Sequence, residues 1–293
     1  MSEKPQIPMI SWSSFEQFRN CPREYRWSMF PEEIKKVNVV PPSDPQHLIR
    51  GTAMQGVMDW VCKNQFQYPK VVEMETFLRR ELTRAFTEFA LQGNSGRNFE
   101  QMFQVLRHQI PKNIKAVQEY LLQKNWIVKK FSTQKRLSNV VNLDSRTVEL
   151  IATLDFLLEV ELAEGLRYVV IEGKSTGKPE TRNIDQAFFQ ASLVGSEESM
   201  QFPVIEAGYL FYSQNQLQMH PINTVGMISK QFQDWWGQRN QTLRSIIDGS
   251  GDPTPGNRNC KFCQFQRTCP DVHVPQKRNP VIGLPSGIPN GLE

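Results

Sequence analysis

Three charged residues near the middle of the chain have types and spacing that suit hydrolytic chemistry: Asp155, Glu172 and Lys174, within "LDFLLEVELAEGLRYVVIEGKS". The stretch reads as two strands joined by a tight turn. With Glu164-Gly165 as a two-residue turn, Ala163 faces Leu166 and Asp155 falls opposite Lys174. Glu172 lies two positions from Lys174 and so shares its face, in diagonal reach of Asp155. The apolar run Val169-Val170-Ile171 leads directly into Glu-Gly-Lys. Carboxylates buried beside such a strand are costly unless a cation neutralises them. Mg²⁺ or Mn²⁺ suits carboxylate oxygens, and Lys174 can orient a water or balance charge on a phosphate. Together these parts fit metal-assisted phosphodiester hydrolysis. On its own, Glu-x-Lys on a strand is more often an exposed ion pair. Asp155 at the matching hairpin position is what makes the pattern specific.

The second chemical feature is "NRNCKFCQFQRTCP", residues 257–270, which holds three of the five cysteines as C-x2-C-x5-C. Soft-metal sites usually take four protein ligands, and the spacing alone leaves the fourth unassigned. The N-terminus "MSEKPQIPMISW" has no apolar core region of a secretory signal. That points to a cytoplasmic, reducing setting, where clustered thiols suggest metal rather than disulfides. Cys62, inside a helical pattern, reads as a small buried hydrophobe.

The elements that must position these groups follow from periodicity. Ser13 or Ser14 can cap a short helix with Phe15, Phe18 and Tyr25 facing inward. A Pro-rich connector, "VVPPSDP", occupies 39–45. "GTAMQGVMDWVCKNQF" places Met54, Val57, Met58 and Val61 at helical spacing, and long helical patterns run from 72 to 125, broken by "QGNSGRN". Strands dominate from Trp126 to about 175. A helix is expected at 184–195, a strand at "EAGYLFYS" and a helix at 226–248. The expected class is α/β: a single domain over 1–270, with a helical lobe at about 52–125, a catalytic core at 126–225 and the cysteine motif at 257–270. Residues 271–293, rich in Pro, Gly and Asn, read as a flexible tail.

Hydrophobic residues make up 39% and charged residues 22%, which describes an ordinary globular chain with no apolar run long enough for a membrane span. The net charge of +4 permits a nucleic-acid partner without requiring one.

In order along the chain, the motifs resemble the RecB-type branch of the PD-(D/E)xK nucleases, in particular its iron–sulfur members. These include CRISPR-adaptation exonucleases and AddB-type and replication helicase-nucleases. "SWSSFEQFRNCPREYRW" resembles the opening motif, "GTAMQ" the family's G-x-x-x-H, "ATLD" its G-x-x-D, and "VVIEGKS" its E-x-K. "DQAFFQAS" resembles the Q-x-x-x-Y helix and "CKFCQFQRTCP" the closing cysteine triplet. The resemblance spans about residues 11–270 and implies a restriction-endonuclease-like fold. It makes Cys21 the fourth thiolate beside Cys260, Cys263 and Cys269, joining the two ends of the chain. Four thiolates suit a [4Fe–4S] cluster or zinc; the family likeness favours iron–sulfur in a structural role.

Two positions depart from the pattern. Gln55 stands where the family has a metal-binding His, and its carbonyl oxygen is a neutral, weaker ligand. His47 is the nearby alternative, but reads as part of the Pro-rich loop. Gln186 matches the family's glutamine, whereas Gln190 replaces its tyrosine and lacks the ring and phenol. DNA contact is expected from Arg19, Arg23, Arg26, Arg258, Lys261 and Arg267, with Trp12 and Trp27 as core residues. The expected function is a Mg²⁺- or Mn²⁺-dependent DNA exonuclease, catalysed by Asp155, Glu172, Lys174 and Gln186 with Gln55 on the metal. A helicase, recombination or CRISPR-adaptation protein is its expected partner. The rivals are a non-catalytic nucleic-acid-binding subunit and a sequence-specific endonuclease; the lack of a separate recognition domain disfavours the second.

Overall fold

The computed structural model describes residues 9–29, 46–89, 95–143, 146–175, 184–196, 200–224 and 227–248, together with Cys260, Cys263, Phe265 and Cys269. The connector at 39–45, Arg258, Lys261, Arg267 and the tail at 271–293 lie outside the described residues. Within them the chain is mixed α/β, with seven helices and a six-stranded sheet, as a restriction-endonuclease-like fold requires. No helix among them is long and apolar enough to cross a membrane.

The sheet is built on β3 (Arg146–Leu162). β2 (Ile127–Leu143) runs antiparallel along one edge of it. Successive stretches of the other edge take β1 (Met9–Ser11), parallel, and β4 (Gly165–Lys174), antiparallel. β5 (Val204–Phe211) then pairs parallel with β4, and β6 (Gln216–Pro221) closes the sheet antiparallel to β5. A separate two-residue ladder joins β7 (Asn223–Thr224) to β8 (Met227–Ile228). The parallel β4–β5 pair needs a crossover, supplied by α6 (Asp185–Ser196).

Alternation along β4 sorts its side chains into two cores. Tyr168 and Val170 pack with α1 (Trp12–Asn20), α6 and α7 (Lys230–Asp248) on one face. Val169 and Ile171 pack with α3 (Gln46–Lys63), α4 (Val71–Glu88) and α5 (Ser95–Lys124) on the other. Val169, Val170 and Ile171 have no exposure, so each contributes roughly 1.5–3 kcal/mol of burial. A strand sandwiched between helical layers is apolar on both faces, which explains the run before Glu172.

Several expectations are corrected. Leu162 pairs with Gly165, so Ala163-Glu164 forms the turn and the register differs by two from the one expected. Asp155 therefore stands level with Glu172, not Lys174. A slip of two keeps every side chain on its face, so the convergence survives. Ser11, not Ser13 or Ser14, caps α1 by accepting from the Ser14 N–H at 3.2 Å. The first helical stretch is in fact two helices. Cys21 ends α1, and Pro22 opens α2 (Pro22–Met29), where the missing N–H costs nothing. Helix α3 begins at Gln46, so His47 is an exposed residue of its first turn rather than part of a loop.

Candidate functional site

The site forms where the side-chain alternation of β3 inverts. Leu154 belongs to the core under α6 and α7, and Phe156, two residues on, to the core under α3 to α5. Asp155 sits at the inversion. Beside it on β2, Gln134 has φ of 51°, a left-handed conformation that costs a non-glycine residue free energy. The result is a carboxylate midway along β3, level with the C-terminal end of β4 and approached by α6 from one face and α3 from the other.

From α6 come two amides. Gln186 Nε2 donates to Glu172 Oε1 at 2.5 Å, and Gln190 Nε2 donates to Glu172 Oε2 at 2.6 Å. Lys174 Nζ donates to Glu172 Oε1 at 2.7 Å and to Gln186 Oε1 at 2.6 Å. Both oxygens of the buried Glu172 are thus held. Gln190 has not lost its place in the site: its amide is a donor to this carboxylate. It does so at a cost, because no donor among the described residues meets its own buried Oε1.

Asp155 Oδ2 accepts the Gly173 N–H at 2.8 Å, and its Oδ1 accepts Gln134 Nε2 at 3.2 Å. Burial, and then the charge of Glu172, push Asp155 well above the ordinary carboxylate range. Two carboxyls in contact, Glu172 buried and Asp155 half-buried, cannot both ionise cheaply, and a divalent cation would remove that conflict.

From α3 comes Gln55. Its Oε1 accepts from Tyr212 Oη at 2.5 Å, and a Cβ built on Gly173 would lie 2.0 Å from that hydroxyl and 2.6 Å from Gln55 Oε1. Only glycine fits between Glu172 and Lys174, because α3 packs against the backbone itself. The first glycine of "GTAMQ" answers to the same contact, since a Cβ at Gly51 would meet Ser175 Oγ at 2.9 Å. Tyr212 is fully buried, and desolvation together with the charges of Asp155, Asp59 and Glu172 keeps its phenol protonated. Asn113 of α5 fixes this residue by donating to the Tyr212 carbonyl at 3.0 Å. His47 lies eight residues before Gln55 on α3, about 12 Å away along the axis.

Asp155 and Glu172 supply carboxylate oxygens of the kind Mg²⁺ and Mn²⁺ accept, and Gln55 Oε1 lies against Tyr212 and the Gly173 backbone. Among the described residues no three His, Cys, Asp or Glu side chains gather at metal-holding spacing. The model of the PD-(D/E)XK nuclease superfamily matches residues 9–270 and so takes in both strands of the site.

The chain belongs to the PD-(D/E)XK nuclease superfamily. Nucleases of this superfamily typically use divalent metals such as Mg²⁺ or Mn²⁺, and nucleic acid is the substrate class membership implies. Among solved structures, the nuclease is similar to "Crystal structure of SSO0001", with 12% identity, 94% of this chain and 90% of that one covered, and a TM-score of 0.40. No curated protein matches it at a significant level.

The second region is where α2 meets Cys263, Phe265 and Cys269. Phe265 packs edge-to-face on Trp27 at 5.5 Å, and Arg23 lies over the Trp27 ring. Arg23 Nη1 reaches Cys269 Sγ at 3.8 Å, and Glu24 hydrogen-bonds Cys263. Burial pushes the Cys263 thiol up to about 11, and Cys21 and Cys269 are near enough to contribute. The Cys263 N–H donates to the Cys260 carbonyl at 3.3 Å. These half-buried thiols approach one another, but among the described residues they do not gather at metal-holding spacing. Cys62 is fully buried under α4, with its thiol pushed up to about 12.

Of the expected DNA-contacting arginines, Arg19 is engaged elsewhere. It pairs at 2.9 Å with the buried Asp185, which also accepts from Arg239 and from Trp235 Nε1. That network anchors α6, and with it Gln186 and Gln190. Asp59, Gln134 and Tyr212 were not anticipated. Asp59 had a signal, being one helical turn from Gln55. Gln134 and Tyr212 had none, since tertiary contacts alone bring them in.

Proposed function

We propose that the chain is a metal-dependent deoxyribonuclease, folded as one domain, that degrades DNA from single-stranded or duplex ends. The observation carrying this reading is the pairing of half-buried Asp155 with buried Glu172, Lys174 held at its edge. Asp155, Glu172 and Gln55 Oε1 would hold the cation. The chemistry supplied there by bound Mg²⁺ or Mn²⁺ is Lewis-acid polarisation of the phosphodiester and activation of water. Lys174 gives two of its three N–H groups to Glu172 and Gln186, leaving one for the attacking water or a phosphate oxygen. Gln186 fixes where that ammonium points, and Gln190 keeps Glu172 from rotating away. An end-directed nuclease shortens end-labelled linear DNA and spares a closed single-stranded circle. Cleavage of the circle at a matching rate would make it an endonuclease.

Cys21, Cys260, Cys263 and Cys269 would bind a [4Fe–4S] cluster whose role is to tie the two ends together, with zinc as the competing occupant. Anaerobically purified protein should be brown, absorb broadly near 400 nm and fade in air (a general property of such clusters). Colourless protein with stoichiometric zinc would replace iron–sulfur by zinc at the same four residues. A helicase or recombination protein is the partner this reading implies. DNA binding without cleavage in Mg²⁺ or Mn²⁺ would favour a non-catalytic subunit.

A further inference from the structure

Gln55 can serve a cation only if its oxygen, not its nitrogen, faces the carboxylates, and nothing in a glutamine's shape decides that. Its neighbours decide it. Gln55 Nε2 donates to Asp59 Oδ1 at 2.8 Å, from one turn further along α3. Gln134 turns its amide nitrogen to the same Asp59 Oδ1, so two N–H donors converge on this oxygen and it is the Gln55 nitrogen that faces Asp59. The oxygen is then turned toward Tyr212 and the Gly173 backbone, where it accepts one proton and keeps a second lone pair. Asp59 also receives Gln134 Nε2 at 3.5 Å, the same amide that reaches Asp155 at 3.2 Å. One carboxylate of the helical layer thus sets both glutamines that flank the candidate metal ligands.

We infer that Asp59 is a positioning residue, fixing Gln55 with Oε1 toward Asp155 and Glu172 so that a neutral amide can act as a divalent-cation ligand. This rests on the metal-site reading above, and the two fail in distinguishable ways. Hydrogen-bonded partners behind metal ligands typically contribute 10- to 100-fold in metal affinity.

The test is a Mn²⁺ titration of the full chain, by calorimetry or by loss of the free-ion electron paramagnetic resonance signal, without DNA. Asp59→Asn is isosteric, but its amide can meet Gln55 in either orientation. It should weaken Mn²⁺ binding about tenfold and leave the cleavage rate at saturating Mn²⁺ nearly unchanged. In a Gln55→Glu background there is no amide to orient, and the same Asp59→Asn change should cause no loss. Tyr212→Phe keeps the ring in the core and the Asp59 contact, so it should weaken binding less than Asp59→Asn. An equal loss from Asp59→Asn in both backgrounds would overturn the proposal, making Asp59 a direct ligand or a source of field. No loss in the parent, or a larger effect from Tyr212→Phe, would overturn it as well. A parent protein that binds no Mn²⁺ would instead remove the metal site itself.

Discussion

The carboxylate site and the cysteine site are held in different ways. At the first, both Glu172 oxygens and both Asp155 oxygens have hydrogen-bond donors, drawn from α6, β2 and the β4 backbone. At the second, the contacts are an Arg23–Cys269 approach, a Glu24–Cys263 hydrogen bond and one aromatic pair, Trp27 with Phe265. A site whose donors are already paired keeps its shape without an ion. A thiol site that took up a metal would depend on it, because binding to thiolates adds directly to folding free energy. The same kind of loss, removal of a metal, should therefore silence one region and loosen the other.

The largest effects belong to the first region. Asp155→Ala and Lys174→Ala should each slow cleavage of single-stranded DNA roughly 10³-fold or more. They should differ in a Mn²⁺ titration, since Asp155→Ala removes a ligand and Lys174→Ala does not. Equal loss of Mn²⁺ in both would mean that Lys174 shapes the site instead of serving the water or phosphate.

Gly173→Ala tests whether that shape is rigid. The added Cβ would meet a buried phenol at 2.0 Å, so α3 and β4 must part. The expected cost is about 1–3 kcal/mol in urea unfolding, together with most of the activity. Unchanged stability would mean the layers adjust freely and the carboxylate site is looser than its hydrogen bonds imply.

Cys21→Ala addresses the other region. It should lose the thiolate-bound metal and lower the melting temperature, with cleavage falling only as folded protein is lost. Because the proposed cross-link would close nearly the whole chain, its entropic share would be no more than a few kcal/mol. Chelating the hard cation with EDTA should stop cleavage and barely move the melting temperature. Full metal retention in Cys21→Ala would remove the link between the two ends.

The smallest effect is at Cys62, whose buried thiol is pushed up to about 12 and which packs in the core under α3 to α5. Cys62→Ala should cost about 1 kcal/mol, and Cys62 should resist alkylation in the native protein at pH 8. Rapid labelling of Cys62 would show that α3 and α4 open together.

The hairpin was legible because alternation and a turn-forming glycine bring Asp155, Glu172 and Lys174 to one place under either register. Helix α3 was legible for the same reason, as Met54, Val57, Met58 and Val61 repeat at its period. Strand β1 was not, because three residues carry no period, and its place beside β3 is set by tertiary pairing. The inversion at Asp155 left no mark either. A left-handed glutamine in the middle of β2 looks, in sequence, like any polar strand residue. Gln190 was misjudged for a related reason: a tyrosine's absence is visible in sequence, but an amide's new partner is not.

The most direct measurement is single-turnover cleavage of end-labelled single-stranded DNA in Mn²⁺ by the wild-type protein and by Glu172→Ala, with circular dichroism confirming that both are folded. Glu172 is the one side chain that Lys174, Gln186 and Gln190 all address, so its loss should abolish product in a folded protein. Progressive shortening by the wild type and none by the variant is the expected result. Shortening by both at comparable rates would contradict the assignment of the nuclease site to this pair of strands.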